Sequence, residues 1–181
     1  MAKGPQDFQP LTADVDAERS TLGSVILDYD WLGDILPIIQ PDDFSLFRHR
    51  EIYEAILRLD AQKQPFDYTM VCSELQRAGR LELVGGVSYI TGLVLAAPTP
   101  RFAVHYARIV ADRAVYRRMI AAAGIIAAIG YEQPQDTRDG VRQAELALEG
   151  LTRNQPGDPA KLSDDLSAYY ALRRELYFDA V

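Results

Sequence analysis

The stretch Met119-Ile120-Ala121-Ala122-Ala123-Gly124-Ile125-Ile126-Ala127-Ala128-Ile129 closes a longer run that begins at Phe102. Within that run Phe102, Tyr106, Ile109, Val110, Arg113, Arg117, Ile120, Ala123 and Ala127 recur every three or four residues. That spacing lines residues along one side of an α-helix. The run therefore predicts one long helix of about 40 Å at 1.5 Å per residue, separated from what precedes it by Pro98-Thr99-Pro100. No charge falls between Met119 and Ile129, so a membrane is one candidate partner for this apolar surface. A spanning helix needs roughly 20 apolar residues, and here Arg117-Arg118 and Glu132 bracket a shorter stretch. A helical neighbour, from the same chain or another copy, is the expected partner.

Toward the N-terminus the helical period continues. Asp14 to Asp28 predicts a first helix, with Val15, Leu22, Val25, Ile26 and Tyr29 at helical spacing and acidic residues in the first turn, where the helix dipole favours them. A short helix over Trp31 to Ile39 should stop at Gln40-Pro41. His49, Ile52, Tyr53, Ile56 and Leu59 mark a third helix ending near Gln64-Pro65. Asp67 is placed to cap Tyr68 to Ala78, and Gly79 to supply a left-handed C-terminal position. Gly85-Gly86 opens a helix over Val87 to Ala97. No stretch alternates with period two, so the expectation is an all-α chain.

Toward the C-terminus, Tyr131-Glu132-Gln133-Pro134-Gln135 reads as a turn, and Val141, Ala144, Leu148 and Leu151 as the stripe of a returning helix. So short a connection predicts an antiparallel helical hairpin. Asn154-Gln155-Pro156-Gly157-Asp158-Pro159 reads as a linker, and Ser163 as the cap of a last helix. Leu162, Leu166, Tyr169, Tyr170, Arg173 and Leu176 fall on or near one side of that helix. It either folds back on the hairpin or docks on a neighbouring subunit. The expected layout is thus a disordered N-terminus over 1–13, a small globular helical head over 14–100, the hairpin over 101–152, a linker over 153–160 and a tethered linker helix over 161–181.

At 181 residues the chain is long enough for one domain with a real core, or a domain plus an appendage. A hydrophobic fraction of 48% with 25% charged residues is that of a globular protein. The net charge of −7 opposes nucleic-acid binding driven by bulk electrostatics and points to protein partners. With Cys72 the single cysteine, no intramolecular disulfide can form. The first residues lack the apolar core of a signal peptide, so a cytoplasmic location is expected.

The residue types that carry chemistry are not grouped. A G-x-x-x-x-G-K-[ST] nucleotide loop needs a lysine in frame after a glycine, and Lys3, Lys63 and Lys161 provide none. Two adjacent glycines, Gly85-Gly86, are weak evidence for phosphate binding and are better read as a turn needing positive φ. His49 and His105 lack companions at metal-ligand spacing and read as packing or hydrogen-bonding residues. Cys72 has no nucleophile signature around it, and Asp42-Asp43 and Asp164-Asp165 sit where capping explains them. Arg101, Arg108, Arg113, Arg117 and Arg118 make the first half of the long helix basic. In so acidic a chain, ion pairing within or between subunits is the expected use for them. No catalytic, cofactor-binding or metal-binding residue is expected in this chain.

Several blocks resemble the N-terminal domain of the DnaB-like replicative DNA helicases. They are Asp16-Ala17-Glu18 with Leu22-Gly23-Ser24 and Leu27-Asp28; Pro41-Asp42-Asp43-Phe44; Arg48-His49 with Ile52-Tyr53 and Ala55-Ile56; Pro65-Phe66-Asp67; Leu75 with Gly79 and Leu81; Gly85-Gly86 with Tyr89-Ile90; and Tyr106-Ala107 with Ile109-Val110. They follow the family's order and spacing over about residues 14 to 118. Pro98-Thr99-Pro100-Arg101-Phe102 departs from it, because the family usually has small residues and an asparagine after the proline.

The resemblance implies a non-catalytic oligomerisation and partner-recruitment domain. In the family such domains pair through their hairpins, form a trimer-of-dimers collar on a hexameric ring and contact primase, while the linker helix packs on the motor domain of an adjacent subunit. A helicase loader is a further partner the resemblance allows, and direct DNA binding is expected to be weak or absent. The interface implied here comprises Ile120, Ala123, Ile126 and Ala127 with Val141, Ala144, Leu148 and Leu151 of the returning helix. The RecA-like motor that would use ATP and Mg is missing from this sequence. The expectation is a fragment ending after the linker helix, and a natural motorless relative is the alternative. A free-standing adaptor or inhibitor that binds a helicase or primase is the competing function.

Overall fold

The structure is a computed structural model that describes residues 12–63, 65–97 and 99–152. The expected linker and the docking residues Leu162, Leu166, Tyr169, Tyr170, Arg173 and Leu176 lie outside the described residues. Within them the chain is all-helical, with α1 Val15–Leu27, α2 Leu32–Ile35, α3 Phe47–Asp60, α4 Tyr68–Arg77, α5 Leu81–Val84, α6 Gly86–Ala96, α7 Ala103–Glu132 and α8 Thr137–Thr152. The chain divides into two compact units, with the boundary inside α7 between Ala114 and Val115.

Local chemistry sets the element ends of the first unit. Asp14 caps α1 by accepting the Ala17 N–H at 2.9 Å, and Asp67 caps α4 by accepting the Thr69 and Met70 N–H groups, each at 3.0 Å. Gly79 closes α4 at φ +69°, as its position predicts. The helix expected over Trp31 to Ile39 is broken into a 3-10 turn Tyr29–Trp31, the single turn α2 and a further turn through residue 38. Pro37 explains the break, because it has no N–H to continue the helical ladder. The third helix starts at Phe47 and stops at Asp60, short of the proline. The single turn α5 was not foreseen, being too short to show a period, yet it buries Leu81 and Val84. Gly85 and Gly86 take φ +108° and +70°, which only glycine adopts without strain.

The core of this unit is formed by Leu22, Val25, Ile35, Ile52, Tyr53, Ile56, Leu75, Ile90 and Leu93, all inaccessible to solvent. The principal neighbour of α1 is α6. They cross so closely at Gly23 that a Cβ there would lie 2.1 Å from the Leu93 carbonyl oxygen. Ala103, Ala107 and Val110 bring the start of α7 into the same core.

In the second unit α7 ends at Glu132, and the next residue, Gln133, turns the backbone left-handed at φ +46° while its N–H still reaches the Ile129 carbonyl at 3.2 Å. Pro134 forbids continuation, and the chain returns as α8. A Cβ at Gly140 would meet Ile129 at 3.4 Å and Pro134 at 3.0 Å, so glycine lets the two arms of the hairpin approach at their closed end.

The stripe read along the long helix is corrected. Its buried side is Ala103, Ala107, Val110 and Ala114 in the first unit and Ala121 and Ala122 in the second, whereas Phe102, Arg113, Ile120, Ala123 and Ala127 are exposed. Alanines allow close approach of the backbone, so they take the inner side and the larger side chains turn outward.

Candidate assembly interface

The second unit keeps most of its large apolar side chains in water. Met119, Ile120, Tyr116 and Tyr131 of α7 are 41 to 81% exposed, and Val141, Leu146 and Leu148 of α8 are 50 to 55% exposed. Along α7, Tyr116, Ile120, Ala123 and Ala127 recur at helical spacing and are all exposed. Along α8, Val141, Glu145 and Leu148 share the exposed side, and Gly140, Ala144, Ala147 and Leu151 form the more covered one.

The eight residues expected at an interface therefore divide. Ile120, Ala123, Ala127, Val141 and Leu148 are exposed, and Ile126, Ala144 and Leu151 are half-buried. The expected stripe of α8 is split because a period of 3.6 places 144 and 151 nearer the inner side and 141 and 148 nearer the outer. Tyr116, Met119, Tyr131 and Leu146 extend the apolar surface and were not singled out. The period identifies Tyr116 and Met119 only once the inner side is known to be the alanine one.

Chemistry of a catalytic kind is not assembled on these elements. A shallow depression of about 240 Å³ on α8 is lined by Thr137, Arg138, Val141, Arg142 and Glu145, which are neighbours along one helix rather than groups converging from several elements. Among the described residues no group of three His, Cys, Asp or Glu side chains is placed to hold a metal ion. Arg142 and Gln143 both hydrogen-bond the Asp139 carboxylate and hold it below the usual carboxylate range, a contact internal to α8. Cys72 is buried, and that burial, with Asp67 nearby, pushes its thiol up and disfavours the thiolate.

The first unit holds a polar network in its interior. Glu18 and His49 are both almost wholly buried. Glu18 Oε1 accepts the Ser45 N–H at 2.7 Å, and Oε2 lies 2.6 Å from His49 Nδ1. A carboxylate only accepts, so Nδ1–H is the donor; the other ring nitrogen, Nε2, lies 2.6 Å from the Tyr89 hydroxyl. Tyr89 stacks on His49 and carries the Arg48 guanidinium 5.0 Å above its ring. Burial, its largest cause, raises the Tyr89 phenol pKa. This arrangement ties α1, α3 and α6 together, which agrees with reading His49 as a hydrogen-bonding residue. Sequence pattern gave no sign of Glu18 as its partner, since 31 residues separate them.

Within the first unit the arginines divide by whether a carboxylate lies against them. Arg50 pairs with Asp42, Arg58 with Glu54 and Glu74, Arg77 with Glu74, and Arg80 with Glu51. Arg101, Arg108 and Arg113 are exposed and make no ion pair among the described residues. Asp112 is one turn beyond Arg108, but a cation placed N-terminal to an acid at this spacing is the less favourable order.

With fold and surfaces described, the class of protein follows. The family model for the DnaB-like helicase N terminal domain matches residues 11–112, and this chain belongs to that family. Among its relatives, the replicative DNA helicase DnaB of Leifsonia xyli subsp. xyli is 34% identical over 142 residues, which cover 78% of this chain and 31% of the relative. The replicative DNA helicase DnaC of Bacillus subtilis is 36% identical over 134 residues, covering 74% and 30%. The chain thus spans about a third of the length of the curated relatives it matches. The crystal structure of the N-terminal domain of the DnaB helicase from Mycobacterium tuberculosis is similar over 78% of this chain and 99% of that one, at 35% identity and a TM-score of 0.75. A DnaB-like replicative helicase, whose structure was described with its interactions with primase, shares the fold at 22% identity and a TM-score of 0.62, over 86% of this chain and 34% of that one. The match lies in the N-terminal domain, and these 181 residues contain no nucleotide-binding loop.

Proposed function

We propose that this chain is the non-catalytic assembly and recruitment domain of a hexameric replicative DNA helicase acting in cytoplasmic DNA replication. Hairpins of two copies pair through the outer surface of α7 and α8, and three such pairs form a collar on the ring. The observation that carries this reading is the exposed apolar surface of the hairpin in a chain of this family. Unsatisfied apolar patches of this kind mark interaction sites. ATP and Mg belong to the motor domain of the parent protein, which hydrolyses ATP to unwind DNA, and primase is the partner the collar recruits. The segment bearing Leu162, Leu166, Tyr169, Tyr170, Arg173 and Leu176 docks on the motor domain of a neighbouring subunit.

Size-exclusion chromatography with light scattering on the 181-residue chain tests the pairing, with dimers or higher species expected at high micromolar concentration. Ile120→Asp places an unpaired charge in the contact and should yield monomer. Because Ile120 is 41% exposed in the single chain, helical content by circular dichroism should not change. Monomer alone for the unmodified chain at that concentration would oppose the proposal.

Among the described residues one helical segment, Pro100–Glu132, is long and apolar enough by length and composition to cross a membrane, with a mean hydropathy of 1.2 over its best window. Its charged residues Arg113, Arg117 and Arg118 and the family both support the hairpin arm instead.

A further inference from the structure

We infer that the outward side of the 3-10 turn Pro100–Phe102 and of the first turns of α7, with Arg101, Phe102, His105, Arg108 and, further along, Arg113, is a weak, salt-sensitive binding surface for single-stranded nucleic acid. Two observations carry this. The first is the contrast in how the first unit uses its arginines. Four of them, Arg50, Arg58, Arg77 and Arg80, are matched with carboxylates, whereas Arg101, Arg108 and Arg113 stand in solvent without an ion pair among the described residues. In a chain of net charge −7 this is a local excess of positive charge, and Asp112 is the acid that lies among them on the helix.

The second observation is the aromatic surface interleaved with the charges. Phe102 is 54% exposed beside Arg101, and the His105 ring lies 5.9 Å from that of Tyr106, which packs in part on the core. An acidic protein surface would need only the cations. A single strand offers phosphates to cations and unstacked bases to rings, and proteins that bind it combine a positive track with stacking platforms. From Arg101 to Arg113 the track extends about 18 Å at 1.5 Å per residue, long enough for a few nucleotides but not for a deep channel. Recognition would be of the backbone and of base faces, without sequence preference.

The buried side of these turns is Ala103, Ala107 and Val110, so the exposed side can be altered without disturbing the core. The test is fluorescence anisotropy of a labelled 20-mer of thymidylate against the full chain from 50 to 200 mM NaCl. Three phosphate contacts on a single strand predict a slope of log affinity against log salt near −2, so binding should weaken roughly 20-fold over that range. Replacing Arg101 and Arg108 together by Gln should flatten the slope to about −0.7, the value for one remaining contact. Phe102→Ala should weaken binding about tenfold at unchanged slope, as the loss of one stacked base does. Arg58→Gln removes a charge of the same sign elsewhere on the unit and should leave the slope unchanged. Circular dichroism confirms that each variant folds, and Arg113→Gln offers an independent single substitution.

No binding at 50 mM salt, or a slope that the double substitution does not alter, would overturn the inference. So would poly-L-glutamate that displaces the oligonucleotide at equal charge concentration with no loss on Phe102→Ala, because an acidic protein would then be the better partner.

Discussion

The two units solve opposite packing problems. In the first, large side chains form the interior: Leu22, Ile52, Tyr53, Ile56 and Leu93 are inaccessible, and Glu18 and His49, taken in with them, are bonded to each other. In the second, the buried residues are the small ones, Ala121, Ala122 and Gly140, while Met119, Ile120, Val141 and Leu148 stay half or more in water or close to it. Two helices alone enclose little volume, so they can hide only one narrow side of each, and small side chains are what fit there. The difference teaches that the first unit encloses a core of large side chains, though Leu83, Val87 and Leu95 stay exposed on it, whereas the hairpin encloses only small ones and leaves most of its large apolar side chains for a partner to cover.

Substitutions can sharpen or break this contrast. The largest effect should come from His49→Leu, which leaves the buried Glu18 carboxylate without its ring partner. Leaving a buried acceptor without its donor costs about 3 kcal/mol, and somewhat more when the acceptor is charged, and urea unfolding of the chain should show a loss of this order. A loss under 1 kcal/mol would mean that Glu18 reaches water and that the first unit is less closed than its burial indicates. Next comes Gly23→Ala, where the new Cβ would press on the Leu93 carbonyl. Forcing α1 and α6 apart should cost about 1–3 kcal/mol by thermal or urea unfolding. The same substitution at Gly130, around which nothing lies within 4 Å, should stabilise slightly if anything.

A smaller step is Asp67→Ala, which frees two backbone N–H groups at the start of α4. About 1 kcal/mol of stability should be lost, with hydrogen exchange accelerated first at Thr69 and Met70. The smallest effect belongs to Arg142→Gln on the hairpin. Asp139 has its folded value held below that of the unfolded chain, chiefly by Arg142. Its contribution is therefore present above the ordinary carboxylate range and fades as pH falls through the folded value. The substitution should return the Asp139 carboxyl toward its ordinary value in an NMR titration, and unfolding midpoints near neutral pH should barely move, because exposed pairs contribute little. A large destabilisation there would show that the hairpin depends on surface pairs for its own stability.

Much of this arrangement was legible in the residues themselves. Caps at Asp67 and Gly79, the left-handed glycines at 85 and 86, the turn at Gln133-Pro134 and the helical periods all act over one to four residues, and such local chemistry is written in sequence. Where local signals were too short or conflicting, reading failed: α5 has one turn, and Pro37 divided a helix that the apolar pattern joined. The ordered motif blocks from Asp16 to Val110 also identified the family, since each block records a position that the fold constrains.

Other features belong to the folded state alone. Which side of α7 is inner depends on how closely its neighbours approach, and apolar period cannot distinguish a side lined by alanine from one lined by isoleucine. The pairing of Glu18 with His49 and Tyr89 joins residues from three helices, so only their packing could bring it about. That Arg101, Arg108 and Arg113 have no ion pair among the described residues is likewise a tertiary fact, because an ion pair needs its carboxylate within about 4 Å in space, not merely in composition. Sequence determined the helices, their order and their kind; the tertiary structure decided which surfaces they keep for one another and which they leave open.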